Sequence, residues 1–452
     1  MPYTDLRAFL STLRQSGELV DLIRPIALQY DVAKALAKSS AADGPALMFK
    51  DNGTKFPLVA GIYGNRRRAL LAFEATEETI HDRVSKAIDA PIGPIDFSGP
   101  PPCQDVVMTG DDVDLTKLPV PTYSPKDGGP YITAGIVVSE DPDTGIPDIG
   151  NYRFQLHDSR VLGVFSAPNH RFGKNMAKAI QRKVPLHGAI VIGVDPMMAF
   201  ACQVQSGDAS NDWFVAGGLR GEPVELTKCV TSDLKVPARA EFIIEFVVDS
   251  EDQREEGPLG EYTGYYTPAG PKPTAKVTAI THRQDAIFQG LLTGKPITEN
   301  HVLKQIPFEA SILRQLQTQF PTISDIAITS SGGVQVYVVI AMTPRYEGEA
   351  RQAILAAMAS NLHPKWVVVV DPDIDIRRSQ EVEWAMSFRV KPREDVFVVD
   401  RTAAAPLDPY TDGGYSSAVG IDATRPFGAE FPDVSEVPDW RSFDLPEIER
   451  SR

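Results

Sequence analysis

The chain has 452 residues, 42% of them hydrophobic and 23% charged, the make-up of a folded protein with two large or three ordinary domains. Its 45 basic and 60 acidic side chains leave a net charge of −15, which excludes a global nucleic-acid footprint and disfavours an anionic membrane as partner. No apolar run reaches the roughly 18 residues of a membrane span; residues 1–6 lack the parts of a secretory leader, and three widely spaced cysteines fit a reducing compartment without a thiolate zinc site, so a cytoplasmic protein is expected.

The first block mixes helices and short strands. Leu6, Phe9, Leu10 and Leu13 follow the i, i+3, i+4, i+7 spacing of a helix over 4–16, with Thr4 as its cap and Gly17 at its end. A second amphipathic stretch covers 32–36, and 45–49 and 57–62 read as strands. Residues 76–88 read as a helix with Glu77 and Glu78 in its first turn, where the helix dipole favours acid. Five prolines between Pro91 and Pro102 mark a boundary.

The chain beyond is mostly β. Strands are expected at 132–138, 149–156, 161–165, 189–194, 241–248, 276–281 and 287–292, with a hairpin at His157–Arg160 and a helix over 175–182. An antiparallel region of this size reads as a barrel or sandwich. Residues 299–319 form a long helical stretch that Pro307 should kink or start. The third block is again α/β: strands around residues 330–333, helix 347–359, strand Trp366–Val370, helix 381–388 and strand 396–399.

Several stretches carry chemistry. Glu256-Gly257-Pro258-Leu259-Gly260-Glu261 is a tight-turn pattern that can bring two carboxylates to one side, where their affinities for a proton diverge; it also reads as a solvated acidic loop. Arg153, in an apolar-alternating strand, needs a carboxylate or a bound anion. His170 precedes a helix and is either a metal ligand or structural; Asp212 is a candidate N-cap; Lys365 suits a phosphate or a strand edge.

Taken together and in order, these stretches resemble the UbiD family of decarboxylases, which use prenylated flavin mononucleotide. The match rests on Ile149-Gly150-x-Tyr152-Arg153, Asn169-His170-Arg171, and Asp212 ahead of Ala216-Gly217-Gly218-Leu219-Arg220-Gly221. It continues through Glu256-Gly257-Pro258-x-Gly260-Glu261 and Thr263-Gly264-Tyr265-Tyr266. It ends with Val382-x-Trp384-Ala385, Arg389-x-x-Pro392-x-x-Asp395 and Gly420-Ile421-Asp422-Ala423-Thr424.

The resemblance implies an α+β protein: an N-terminal α/β region (1–102), a split β-barrel flavin-binding domain (103–296), a linker helix (297–320) and a C-terminal α/β oligomerisation domain with its tail (321–452). It also implies reversible, non-oxidative decarboxylation through a covalent adduct with prenylated FMN, with Arg153, Glu256 and Glu261 as the catalytic network and Glu261 as proton donor. The cofactor would face Asp148, Asn151, Tyr152, Arg153, Asn169, His170, Arg171, Asp212 and Lys365. A divalent cation, usually manganese, with potassium, would be held by Asp148, His170 and Asp212; the family pattern has Asn at the first of these positions and Glu at the third, and all four side chains are oxygen ligands.

By the same resemblance, a flavin prenyltransferase supplies the cofactor, and the chain forms a homodimer or higher homo-oligomer without nucleic acid or membrane. His301, Phe308, Ala405 and Leu407 are the expected substrate pocket, with His301 either bonding a ring substituent or lying on an exposed helix face. No further arginine in this stretch offers to hold a second carboxylate, so a monocarboxylated aromatic or heteroaromatic acid is the expected substrate. Cinnamate-like or polyprenyl hydroxybenzoate acids are the alternatives, and a non-catalytic flavin-binding relative is the alternative outside enzymes.

Overall fold

The computed structural model describes residues 3–204, 210–295, 297–405, 407–435, 437–439 and 442–443. The limit expected at residue 296 and the end of the tail, 444–452, lie outside the described residues.

Helix α1 (Leu6–Gln15) buries Leu6, Phe9, Leu10 and Leu13, as their spacing requires. Its cap is Asp5 rather than Thr4: the Asp5 carboxylate accepts the Ala8 N–H at 3.0 Å and also takes a bond from Arg283 at 2.9 Å. Helix α2 (Asp31–Ala41) packs on strands Leu19–Leu22, Ala46–Phe49 and Leu58–Ala60. A fourth strand of this sheet, Phe288–Gln289, arrives from far along the chain and runs parallel to Leu58–Ala60. The segment expected as a last barrel strand is therefore part of the N-terminal sheet. Helix α3 (Arg66–Phe73) follows, then α4 (Ile80–Asp89). The latter starts later than its acidic pattern predicts: Glu77 lies ahead of the first turn and pairs with Arg66 at 2.6 Å, leaving Asp82 as the first-turn acid.

The central element is a nine-stranded antiparallel sheet. Its order is Tyr131–Ile132, Phe154–Leu156, Val161–Val164, Gly270–His282, Phe242–Glu256, Leu186–Ile192, Ile136–Glu140, Pro147–Asn151, with Val106–Thr109 pairing beside Gly270–His282. Two segments expected as single strands are each divided. Residues 132–138 split at Thr133–Gly135, and residues 149–156 split at Tyr152 and Arg153.

The divisions reveal the shape. Pro147–Asn151 ends one side of the sheet and Phe154–Leu156 lies near the other, yet only Tyr152 and Arg153 separate them. Three peptide units reach roughly 11 Å at most, so the sheet has to roll until its edges approach. The result is a barrel split along a seam, and Arg153 stands in that seam.

Three helices lie beside the barrel: α5 (Arg171–Arg182), α6 (Pro196–Ala201) and α7 (Asp212–Arg220). Neither α6 nor α7 is expected from the sequence. Every residue of α6 is buried, and α7 carries Gly217 and Gly218, where a Cβ would stand 2.2 and 2.3 Å from the carbonyl oxygens of Ile92 and Ala87. Helix α8 (Glu299–Gln317) runs through Pro307 without interruption. Val302, Leu303, Ile306 and Ala310 join the core shared with the N-terminal region, while Ile312, Leu313 and Leu316 join the C-terminal core.

The C-terminal sheet has the order Ile323–Ile328, Tyr337–Met342, Trp366–Val370, Tyr415–Ala423, Val396–Ala403, with its three middle strands parallel. Val367 and Val369 face the side of α9 (Glu349–Met358), and Val368 and Val370 face that of α10 (Ser379–Arg389). Both faces of the Trp366–Val370 strand are thus covered, which explains its unbroken apolar run. Among the described residues no helix is long and apolar enough to cross a membrane.

Candidate active site

The long strand Phe242–Glu256 delivers Glu256 to the barrel seam, and the chain then turns sharply. Gly257 has φ +93°, a backbone region that side chains disfavour, and a Cβ there would lie 3.1 Å from the Cα of Ala269. The turn leads into a two-strand ribbon, Leu259–Gly260 against Tyr266–Thr267, with Glu261 at its tip; the Glu261 N–H donates to the Tyr265 carbonyl at 2.9 Å.

Arg153 collects both carboxylates. Its Nε and Nη2 donate to the two oxygens of Glu256 at 3.0 and 2.9 Å, and its Nη1 donates to Glu261 at 2.7 Å and to the Thr267 hydroxyl at 2.7 Å. The guanidinium lies 4.5 Å from the Phe165 ring centroid. Burial opposes its charge, but Glu256 and Glu261 outweigh burial and hold its pKa above the ordinary arginine value. Glu256 is fully buried and also accepts from the Tyr131 hydroxyl at 3.2 Å. The acidic turn is thus not a solvated loop: its outer two carboxylates share one buried cation.

The seam opens into a cavity of about 160 Å³ lined by Arg153, Glu261, Tyr152, His170, Lys304 and Leu407, among others. Asn151 also lines it; its amide donates to the Gly135 carbonyl at 3.2 Å and accepts from Gln203 at 2.7 Å. Tyr152 is packed against Phe172 with ring centroids 5.1 Å apart, and burial raises its phenol pKa. His170 is the residue preceding α5, which begins at Arg171 rather than at Asn175; burial and the nearby Lys304 lower its pKa, favouring neutral imidazole. Asn169 is exposed and does not line the cavity.

The three residues expected to hold a cation do not converge as a cage. Asp148 and Asp212 are both buried, and Arg171 stands against both: Nη1 lies 2.7 Å from Asp212 and Nε 3.5 Å from Asp148. Arg171 also donates to the carbonyls of Pro147 and Ser210 at 3.0 Å each. Asp212 is the first residue of α7, and Asn211 is its cap, accepting the Trp213 N–H at 3.1 Å. Among the described residues no group of three His, Cys, Asp or Glu side chains is arranged to hold a metal ion. The donor set fits a guanidinium between two carboxylates.

The expected substrate residues are placed otherwise, apart from Leu407. His301 is buried, not on an exposed helix face, and both ring nitrogens are engaged: Nδ1 accepts the Thr298 N–H at 3.1 Å and Nε2 donates to the Tyr262 carbonyl at 2.8 Å. It closes a capping box at the start of α8. Burial pushes its pKa down to about 4. Phe308 packs on the C-terminal core, Ala405 is buried outside the cavity lining, and Lys365 pairs with Asp408. The face of α8 that lines the cavity is instead Asn300, Leu303 and Lys304. Lys304 escaped the sequence reading, although a lone lysine among Val302, Leu303, Ile306 and Pro307 is the signal that could have found it.

Three family models match the chain: the N-terminal domain of 3-octaprenyl-4-hydroxybenzoate carboxy-lyase over residues 10–88, its Rift-related domain over 96–296 and its C-terminal domain over 301–423. An uncharacterized protein of Archaeoglobus fulgidus is 31% identical over 97% of this chain and 96% of its own. The UbiD-class enzyme HmfF of Pelotomaculum thermopropionicum, solved with FMN, superposes with a TM-score of 0.91 at 32% identity, covering 97% of this chain and 99% of its own. An evolved dimeric form of the same enzyme, solved with prFMN, gives 0.88 at 32% identity over 98% and 99%. A 3,4-dihydroxybenzoic acid decarboxylase of Enterobacter cloacae gives 0.89 at 27% identity over 98% and 99%. The chain belongs to the UbiD family of carboxy-lyases.

Proposed function

We propose that this protein decarboxylates an aromatic or heteroaromatic carboxylic acid, reversibly, with prenylated FMN bound in the cavity at the barrel seam. The observation that carries the reading is the joint hold of Arg153 on Glu256 and Glu261, with Arg153 and Glu261 both in the cavity wall. HmfF, similar over nearly its whole length, has been solved with FMN and with prFMN, and the Enterobacter relative acts on a dihydroxylated benzoic acid.

The residues present fit a phosphorylated flavin. Helix α5 begins beside the cavity, with His170 and Ala167 in the cavity lining, so the positive end of its dipole lies on the side where an anionic phosphate would sit. Asn151, Tyr152 and His170 would hold the cofactor there. When bound, the prenylated flavin supplies an electron sink for the carbon that loses its carboxylate.

The protein's own part is orientation and proton transfer. Glu256 fixes the plane of the Arg153 guanidinium, and Arg153 in turn fixes the Glu261 carboxyl. The carbon–carboxylate bond breaks and carbon dioxide leaves. Glu261 delivers the proton that forms the new C–H bond, and water restores that proton. The cluster holds two carboxylates against one guanidinium, so a proton can enter and leave it without stranding a buried positive charge. Exposed Trp384 and Phe388 on α10 and Val398 on the outer C-terminal strand support association with a second copy through that domain.

The test is co-expression with a flavin prenyltransferase followed by turnover of aromatic acids in heavy water. The wild type should release carbon dioxide and place one deuterium at the vacated carbon. Glu261→Gln should bind the flavin and lose at least 100-fold in turnover; unchanged turnover would overturn the proton-donor role.

A further inference from the structure

One charged side chain in the cavity is left unused by this mechanism. Lys304, on α8, contributes to the same wall as Arg153 and Glu261. Its Nζ lies 3.6 Å from the ring centroid of Tyr262. Among the described residues it makes no ion pair of 4 Å or less and no hydrogen bond. Its neighbours on the helix, Val302, Leu303 and Ile306, are buried and apolar.

The other cavity cation is fully committed. Nε, Nη1 and Nη2 of Arg153 are all taken by Glu256, Glu261 and Thr267. An ammonium packed on an aromatic face and lacking a carboxylate partner is costly to retain, because desolvation is not offset by a counterion. Burial accordingly drives the Lys304 pKa down to about 8, with Glu261 only partly opposing it. Such a site gains most from a ligand that brings the missing negative charge.

We propose that Lys304 binds a second oxyanion on the substrate ring, remote from the carboxylate that is lost, so that this chain selects ring acids bearing an ionised hydroxyl or a second carboxylate over acids bearing neither. The assignment rests on the decarboxylase reading for the identity of the reacting carboxylate. It departs from the expectation of a monocarboxylated acid, which follows from the lack of a further arginine in the pocket stretch. Tyr262 pins the ammonium from beneath, and the His301 bond to the Tyr262 carbonyl steadies that residue. Asn300, one helical turn before Lys304 and also in the lining, can donate to the same oxyanion.

The experiment compares wild type, Lys304→Met and Lys304→Arg in the flavin-loaded protein, using benzoate, 4-hydroxybenzoate and benzene-1,4-dicarboxylate. In Lys304→Met, the ratio of kcat/KM for each of the two substituted acids to that for benzoate should fall at least 30-fold; Lys304→Arg should restore part of it. The hydroxy acid and the dicarboxylate separate the two sources of the oxyanion: loss on one alone assigns it. An equal loss on all three acids would place Lys304 on the reacting carboxylate or the cofactor and overturn the proposal, as would no loss on any.

A second readout does not need turnover. Binding of benzene-1,4-dicarboxylate, whose carboxylates are both already ionised, near pH 8 should take up a fraction of a proton at Lys304, seen by calorimetry in buffers of different ionisation enthalpy, and Lys304→Met should abolish it; a ring hydroxyl brings its own proton and is not used in this arm. Binding without proton uptake by the wild type would refute the assignment. Should no acid be turned over while proton-linked binding persists, the decarboxylase reading fails and the Lys304 site stands.

Discussion

The guanidinium of Arg153 meets the carboxylate of Glu256 side-on, through two parallel hydrogen bonds of 3.0 and 2.9 Å. This pairing fixes the orientation of the third nitrogen, the one that reaches Glu261. Lysine keeps the charge but cannot make the fork. Arg153→Lys should therefore lose at least about 100-fold in turnover through misplacement of Glu261, with flavin binding reduced less. Arg153→Met should in addition lower stability by about 3–5 kcal/mol, because it leaves a buried carboxylate unpaired; denaturant titration of the two variants checks the difference.

Gly128 offers a test that leaves every charged group in place. Its N–H donates to the Pro258 carbonyl at 2.9 Å, and a Cβ on residue 128 would stand 2.3 Å from the carbonyl oxygen of Gly257. Backbone cannot yield as a side-chain tip can, so Gly128→Ala should displace the turn between Glu256 and Glu261. Turnover should fall about 10-fold or more while the thermal midpoint moves little. Turnover equal to wild type would show that the turn tolerates displacement.

His301 is expected to be structural. Removing its ring strips the Thr298 N–H of an acceptor and the Tyr262 carbonyl of a donor, both in the interior. His301→Leu should cost about 1–3 kcal/mol in a denaturant titration. The ranking of acid substrates should survive, because the ring does not line the cavity. A changed ranking with unchanged stability would return His301 to the substrate pocket.

Much of this architecture can be read from local pattern. The Leu6, Phe9, Leu10, Leu13 repeat announces α1, and Trp366–Val370 announces a strand covered on both sides. Arg153, Glu256 and Glu261 attract notice through turn chemistry and a charge in an apolar strand, and in the folded chain they touch. What local pattern could not supply is the seam: the breaks at Thr133–Gly135 and at Tyr152-Arg153 follow from which distant strands pair. The same holds for His301, whose partners are set by the turn around Tyr262, and for Lys304, one helical turn from Asn300 on a face that only the packed barrel defines. Helices α6 and α7 hid for other reasons: α6 is buried all round and shows no polar face, and the glycine pair of α7 lowers its intrinsic preference for helix.

The N-terminal region, helix α8 and the C-terminal sheet meet at one buried cluster of charges. Glu309 of α8 is fully buried and is met by Arg66 of α3 at 2.9 Å, by His81 of α4 at 2.9 Å and by the Ile328 N–H of the C-terminal sheet at 3.0 Å. The other nitrogen of His81 lies 3.4 Å from Asp325, which also pairs with Arg377. Burial works against a charge on His81, but Asp325 and Glu309 outweigh it and raise its pKa above the usual 6.5. A raised folded value means that the protonated ring stabilises the fold fully below about pH 6.5 and that this contribution is lost as pH climbs through the raised value. Asp325 and Glu309, both depressed by these cations, contribute in the opposite sense and lose their share only on strong acidification. His81→Gln keeps a polar side chain without the titration. The gap in thermal midpoint between wild type and His81→Gln should be largest near pH 6 and shrink toward pH 9. A gap that stays constant across that range would mean that His81 does not titrate there and would overturn the pH dependence.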